Sequence, residues 1–267
     1  MSDSTLLDAG TSSSGIKSAS TTPTTSLPSS GKTEQKEIFV HRLFDRISPR
    51  YDLFNRLSSL GLDQGWRRRA IRRLEFIPGM RVLDLASGTG DLSRFAAGGI
   101  VPLGMVVACD LSYPMLKLAR RKNERIPAAY WHIRGVQARA EALPFASKSF
   151  DAAMMGFALR NVSDLKTTFS EFHRVLKPGG RLCLLEFGRP EGFFLRIGHK
   201  IWLSTAVPLL GILATGAIWP FAYLRRSILQ FMSPPDVLKG LREAGFTQAR
   251  AEPMNGGVVF LYSAVAR

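Results

Sequence analysis

The sequence predicts a doubly wound α/β fold on a seven-stranded, mostly parallel sheet, with N-terminal helices and an apolar helical insertion after the fifth strand. Three observations support this. Apolar runs of strand length alternate with helix-like stretches from Arg81 to Val265. The first run enters a glycine turn, Val82-Leu83-Asp84-Leu85-Ala86-Ser87-Gly88-Thr89-Gly90-Asp91. Near the end, Asn255-Gly256-Gly257 carries a hairpin signal, which makes the last strand antiparallel.

Residues 1–33 are rich in Ser, Thr, Pro and Gly and hold almost no large apolar side chain after Leu7. They cannot bury enough surface to offset ordering entropy and are expected to be disordered. They lack the apolar centre of a secretory signal, and Asp3, Asp8 and the lack of Arg argue against a transit peptide. Residues 34–267 are expected to form one domain that opens with a helical cap over 34–76. Phe39, Leu43, Phe44 and Ile47 recur at helical spacing, and Pro49 ends that segment. Tyr51 to Leu57 gives a second amphipathic stretch that closes near Gly61, and Trp66 to Leu74 gives a third. Pro78-Gly79 turns into the sheet.

Strand one is expected at Arg81 to Leu85, with a helix from Asp91, and strand two at Met105 to Cys109, with a helix over Tyr113 to Lys122. Strand three lies near Tyr130 to Val136, and Leu143-Pro144-Phe145 reads as a break. Strand four is Phe150 to Met155, followed by a helix over about Leu165 to Leu176. Lys177-Pro178-Gly179-Gly180 reads as a helix stop and turn before strand five, Arg181 to Phe187. After an insertion over 192–230 come a helix, Pro234 to Ala244, and two strands, near Phe246 to Ala251 and Val258 to Val265.

Ile201 to Leu224 within the insertion has no charged side chain and is long enough to span a bilayer. Pro208, Gly211, Gly216 and Pro220 interrupt it, and it lies between strands of one sheet. It is expected either to fold as broken helices over a site or to dip into one leaflet. An apolar cap of this kind suits a greasy ligand.

The formal charge is +15, with basic residues clustered at Arg67-Arg68-Arg69, Arg72, Arg73 and Arg81 and again at Arg120, Arg121, Lys122 and Arg125. Such an excess attracts an anionic bilayer or nucleic acid, unless it only solvates helix faces. No aromatics are regularly interleaved with the arginines, so no nucleic acid partner is expected. The 2 cysteines, Cys109 and Cys183, fall on strands that other strands separate, which predicts free thiols and a cytoplasmic setting. The 4 histidines are scattered, and no metal site is expected.

The glycine turn carries the chemistry. Gly88 and Gly90 let backbone approach a ligand closely, and the N–H groups at the Asp91 helix start favour negative charge. Asp84 favours positive charge. A zwitterionic aminoacyl group meets both preferences, whereas a pyrophosphate would be repelled, and the third glycine of G-x-G-x-x-G is missing. Asp110, with Leu111 beside it, follows strand two about twenty residues later, where an acid accepts from both ribose hydroxyls. Its alternative role is to cap the helix at Tyr113, and the two roles can coexist. Aminoacyl group plus ribose points to S-adenosylmethionine.

Four motifs go further: Phe44-Asp45-Arg46-Ile47-Ser48-Pro49-Arg50-Tyr51-Asp52-Leu53-Phe54-Asn55, the turn from Leu83 to Leu92, Ala140-Glu141-Ala142-Leu143-Pro144-Phe145, and Phe157-Ala158-Leu159-Arg160-Asn161-Val162. On these, from about Phe39 to the C-terminus, the chain resembles the UbiE/MenG family of quinone C-methyltransferases, class I S-adenosylmethionine-dependent enzymes. The resemblance implies methyl transfer to a ring carbon of a prenylated quinol, in menaquinone, ubiquinone or phylloquinone biosynthesis. It implies an enzyme peripheral to the cytoplasmic membrane face and leaves a homodimer open. Cofactor contacts carry over to Thr89, Asp110, Arg139, Ala140 and Gly156. Arg139 departs from the family, which offers Asp or Asn there; Arg cannot accept from an adenine amino group, so backbone or Glu141 would substitute. Gly156 stands where some relatives have serine.

For chemistry, the resemblance points to Arg160 and Asn161, which would position a water or the quinol hydroxyl for deprotonation. Arg160 would stabilise a developing phenolate or serve as an ion-pair partner. Tyr51 and Asp52 would close over the acceptor, or pack and cap helices, and Tyr223 would line the acceptor pocket. Tyr262 stands where many relatives have histidine, and His173 is expected to pack on its helix. Two other functions stay open: a methyltransferase acting on another lipid, or a non-catalytic RNA- or lipid-binding protein of the same fold.

Overall fold

The computed structural model describes residues 50–126, 132–215 and 219–267. The expected 1–33 tail and the segment from Phe39 to Pro49 lie outside them. Two helices come first, α1 (Tyr51–Ser58) and α2 (Asp63–Leu74). Seven strands follow: β1 (Arg81–Leu85), β2 (Met105–Asp110), β3 (Ile133–Gln137), β4 (Phe150–Gly156), β5 (Leu176–Phe187), β6 (Phe246–Met254) and β7 (Val259–Ala266). Their order is β3-β2-β1-β4-β5-β7-β6, with β7 antiparallel to both neighbours and the other pairings parallel. The chain moves outward from β1 in one direction and from β4 in the other. That reversal opens a crevice beyond the carboxyl ends of β1 and β4, where ligands bind in such sheets.

Helices α3 (Asp91–Ile100), α4 (Tyr113–Asn123), α5 (Leu165–Val175) and α9 (Pro234–Glu243) cover the sheet, and α6 (Phe193–Ser204), α7 (Ala206–Thr215) and α8 (Trp219–Gln230) make up the insertion. Side chains alternate across each strand, so the sheet builds two cores. Leu83, Leu85, Phe169, Phe172 and Val175 share one face. Val82, Met154 and Leu185 share the other with Trp66, Ala70 and Leu74, which recur every fourth residue along α2, and with Ala96, Ala97 and Ile100 of α3. Asp84 falls in phase with Val82, so its carboxylate is directed into the layer between β1, α2 and α3.

Lys177 to Gly180 is not the expected stop and turn. Strand β5 already begins at Leu176, which pairs with Phe150, while Arg181 pairs with Ala152, so the residues between them form a bulge. Burial of Leu176 against Phe150 holds the strand on both sides of that bulge, and Gly179 supplies a φ of +79°. Strand β6 runs past Ala251 to Met254 because Glu252, Pro253 and Met254 continue to pair with β7. Cys109 and Cys183 are free and buried, on β2 and β5 with β1 and β4 between them.

The insertion folds as separate helices. Pro208 sits in the first turn of α7, where a missing N–H costs no helical bond. Among the described residues no helix is long and apolar enough to cross a membrane. Helices α6 and α7 pack together and α1 lies on α7. Phe54, Leu203, Val207 and Ile228 form a small core there, and the Trp202 Nε1–H donates to the Ser58 carbonyl at 3.1 Å.

Candidate active site

Two cavities open at the carboxyl edge of the sheet. The larger, about 570 Å³, lies between α1, α2 and the insertion and is walled mainly by apolar side chains, among them Phe54, Trp66, Phe187, Trp202 and Ile228. The smaller, about 130 Å³, lies beyond β1, β2 and β4. Phe157 and Asn161 line both, so they form the wall between them. Phe157 holds a φ of +58°, a costly conformation for a side chain with a Cβ.

The smaller cavity gathers most of the expected cofactor residues. Gly88, Asp110, Leu111, Arg139, Ala140 and Gly156 all line it. Gly88 has a φ of +55°, and a Cβ there would project into open space, so the turn needs glycine for its backbone and leaves the cleft clear. Asp110 Oδ2 accepts the Gly88 N–H at 2.7 Å and Oδ1 accepts the Ser112 N–H at 2.8 Å. The N-cap of α4 is Ser112, whose hydroxyl accepts from the Met115 N–H, so Asp110 does not take the capping role. It ties the glycine turn to the cleft instead. At Gly156 a Cβ would meet the Leu92 Cδ1 at 2.7 Å, which excludes the serine of some relatives unless Leu92 moves. The Arg139 side chain is half exposed, with its Nε 4.0 Å from the Glu141 carboxylate. Glu141 also lines the cleft and accepts the Ser163 N–H at 3.0 Å, so an acceptor stands beside the residue that cannot accept.

Asp84, Thr89 and Gly90 do not line this cavity. Asp84 is fully buried beneath the turn; Oδ2 accepts from the Ser93 hydroxyl at 2.6 Å, while Oδ1 finds no partner among the described residues. Burial pushes its carboxyl up to about 7. Gly90 is the N-cap of α3, and no side chain caps that helix. The Thr89 hydroxyl donates to Asp52 Oδ1 at 2.5 Å, and Lys122 pairs with the same carboxylate. Asp52 therefore closes over the glycine turn rather than over the acceptor cavity, held between Thr89 and Lys122 of α4. Tyr51 opens α1, and its side chain lies outside the described structure.

At the larger cavity, the short 3₁₀ turn Leu159–Asn161 after β4 presents Arg160 and Asn161. Arg160 is not the free cation that a phenolate partner would be. Its Nη1 donates to Glu186 Oε1 at 2.5 Å and to the Phe157 carbonyl at 2.6 Å, and its backbone N–H donates to Glu186 Oε2 at 3.1 Å. The two side chains are 5% and 0% exposed. The Arg160 Nε–H is buried and finds no partner among the described residues. The Tyr223 hydroxyl donates to Asn161 Oδ1 at 3.1 Å, and burial raises that phenol above its ordinary value. Glu186 was not singled out in the sequence; its one signal is a carboxylate inside the apolar run Leu182 to Phe187.

His173 packs edge-on against Phe246 at 5.3 Å, and Tyr262 is buried in the sheet core away from both cavities. The basic clusters are partly internal. Arg67 is buried against Asp63, while Arg69 and Arg73 converge on Glu252.

Sequence comparison decides what this arrangement belongs to. The profile of the ubiE/COQ5 methyltransferase family matches residues 31–266. The chain belongs to that family. A demethylmenaquinone methyltransferase of Symbiobacterium thermophilum is 36% identical over 240 residues, covering 88% of this chain and 95% of its own. A ubiquinone/menaquinone biosynthesis C-methyltransferase UbiE of Syntrophotalea carbinolica is 40% identical over 222 residues, covering 83% and 91%. Among solved structures, a SAM dependent methyltransferase from Aquifex aeolicus aligns with a TM-score of 0.56 at 18% identity over 75% of this chain and 89% of that one. The [4+2]-cyclase SpnF aligns at 0.63 with 20% identity over 83% and 77%. These two likenesses show the fold.

The residues of this methyltransferase fit S-adenosylmethionine. The unpartnered Asp84 oxygen is a buried acceptor suited to an ammonium, and the Asp110 carboxylate at the cleft is of the kind that accepts from ribose hydroxyls. Glu141 offers an acceptor near the adenine-reading segment. The apolar cavity beyond Phe157 and Asn161 is the space left for a second substrate.

Proposed function

We propose that the protein transfers the methyl group of S-adenosylmethionine to a ring carbon of a prenylated quinol, the reaction class named in its menaquinone and ubiquinone relatives. The observation that carries this reading is the shared wall: a cleft that holds Asp110 and Glu141 and a larger apolar cavity meet at Phe157 and Asn161. S-adenosylmethionine supplies an electrophilic methyl on a sulfonium. Asp84, the α3 N-terminus and Asp110 hold its aminoacyl and ribose ends, and Gly88, Leu111, Arg139, Ala140 and Gly156 shape the cleft around it. Thr89, latched by Asp52, and Gly90 hold the turn. Asn161, oriented by Tyr223, and Arg160 line the acceptor cavity, where they hold a ring oxygen so that the neighbouring carbon meets the methyl in line. Phe54, Trp66, Phe187 and Trp202 exclude water and accept the ring and the first part of its tail. Arg160 acts as an oriented donor, since Glu186 offsets its charge.

A prenylated acceptor resides in lipid, and the outer surface of α1, α6 and α7, which wall the large cavity with Leu60, Leu195 and Val207, suits that source. Phe194 is 87% exposed, Leu60 71% and Leu213 71%, with Phe193 and Ile201 also exposed and Arg196 and Lys200 among them. Apolar side chains flanked by basic ones favour an anionic membrane surface. In this reading the protein works peripherally at the cytoplasmic face. Both cavities lie within one chain, so no second copy is required.

Quinone mass spectrometry on cells with and without the gene tests the proposal. Loss of the gene should leave a quinone one methyl group lighter, and its restoration should return the methylated form. An unchanged quinone pool would overturn it.

A further inference from the structure

We infer that Glu186 is a positioning residue for methyl transfer, acting through Arg160 to set the wall between the two cavities. This rests on the proposed quinol methylation and adds a residue to it. Glu186 is fully buried near the end of β5 and lines neither cavity. Its two oxygens divide their work. Oε1 takes the guanidinium Nη1 at 2.5 Å and Oε2 takes the backbone N–H of the same residue at 3.1 Å. One carboxylate thus fixes both the side chain and the main chain of Arg160. The main-chain bond matters as much as the ion pair, because Arg160 is the middle residue of the turn Leu159–Asn161. Holding that turn holds Asn161, which lines both cavities and is gripped from the other side by the Tyr223 hydroxyl at 3.1 Å.

The guanidinium is also aimed. With Nη1 shared between Glu186 and the Phe157 carbonyl, and the group 5.2 Å from the Phe187 ring, its rotation is stopped. The Nε–H is left as a buried donor without a partner among the described residues, on a side chain that lines the large cavity. A buried donor of this kind is costly unless a ligand satisfies it. A ring oxygen of the acceptor is the chemistry that would. A buried ion pair is poor value for stability alone, and a hydrophobic pair would pack the site as well. Its use here is geometric: it makes a directed donor out of a long, flexible side chain while cancelling its net charge.

The test is steady-state kinetics with S-adenosylmethionine and a short-tailed demethylmenaquinol, on the full chain. Glu186→Gln should lower kcat about tenfold or more while leaving KM for S-adenosylmethionine within about twofold, since misplacement of a reacting group costs rate rather than cofactor binding. That variant leaves a buried cation unpaired, so its fold is at risk. The double variant Arg160→Gln/Glu186→Gln leaves neither charge and Arg160→Gln leaves a buried carboxyl that can take up a proton, so these two supply the second measurement. If Glu186 acts through Arg160, the double variant should be no slower than Arg160→Gln alone. The inference is overturned if Glu186→Gln keeps the wild-type kcat, if kcat and cofactor affinity fall together, or if the double variant is slowed a further tenfold. A wild-type protein inactive on the quinol would instead overturn the quinol reading, and this inference with it.

Discussion

Replacing Asp84 with Asn probes the buried carboxylate beneath the glycine turn. Burial lifts this carboxyl from its ordinary 3.8 to about 7, against the opposing hydrogen bond from Ser93. A folded-state value above the unfolded one means that the native protein holds the proton more tightly. Stability linked to this group is therefore intact below about pH 3.8 and is lost as pH rises toward about 7. At about 1.4 kcal/mol per pH unit, the full loss is about 4 kcal/mol. Roughly 3 kcal/mol of it falls between pH 5 and pH 8. Asn cannot ionise, so Asp84→Asn should gain on the wild type by about that amount across this interval. Urea unfolding of both proteins at the two pH values, without cofactor, measures it. Whatever the amide costs by packing or hydrogen bonding is the same at both pH values and cancels. The functional counterpart has the opposite sign. An ammonium placed against the unpartnered Asp84 oxygen favours the ionised acid, so S-adenosylhomocysteine should release about one proton on binding at pH 6. Calorimetry in buffers of different ionisation enthalpy counts that proton, and Asp84→Asn should release none and bind weakly. An equal stability difference at pH 5 and pH 8, together with no proton release by the wild type, would refute the reasoning.

Asp110→Ala removes the acceptor of the Gly88 and Ser112 N–H groups as well as the ribose contact. Affinity for S-adenosylhomocysteine should fall by more than about a hundredfold, the worth of two charge-assisted hydrogen bonds at about 1.5 kcal/mol or more each, with the melting transition still cooperative; calorimetric affinity within threefold of wild type would reject the ribose role. Phe193→Ser/Phe194→Ser strips the two adjacent exposed rings from α6 and should weaken co-sedimentation with anionic vesicles by about tenfold or more. Turnover of a short-tailed quinol in solution should stay unchanged, and undiminished vesicle binding would remove this face from the membrane reading. Burial pushes the Cys109 and Cys183 thiols up to about 12, so the native protein should resist a thiol reagent at pH 8 and react at both positions only in denaturant. Rapid native-state labelling would contradict that burial.

The order of strands and helices was legible in the sequence because periodicity is a local property: each apolar run reports its own exposure wherever it ends up. The same locality made the glycine turn readable, with Asp110 after the second strand and the prolines that cut the insertion into helices. It failed where packing overrode a local signal. Lys177-Pro178-Gly179-Gly180 has the composition of a turn, yet Leu176 is held against Phe150 and the segment becomes a bulge. Asp52 reads as a residue that would close over the acceptor, yet it latches Thr89, 37 positions away.

Residue identities and spacing alone determined that this chain makes a doubly wound sheet, pointed to an aminoacyl-ribose cofactor at the first turn and placed a greasy appendage after the fifth strand. Only the tertiary structure decided which side chains meet. Strand alternation buries Asp84 beneath the turn, and the neighbouring positions of β4 and β5 bring Glu186 to Arg160 across 26 residues of sequence. Asn161 falls between two cavities because the turn after β4 is clamped from the sheet on one side and from the insertion on the other. Periodicity encodes the conformation of a segment, whereas hydrogen-bond partners depend on which segments lie side by side, and that is a property of the folded sheet.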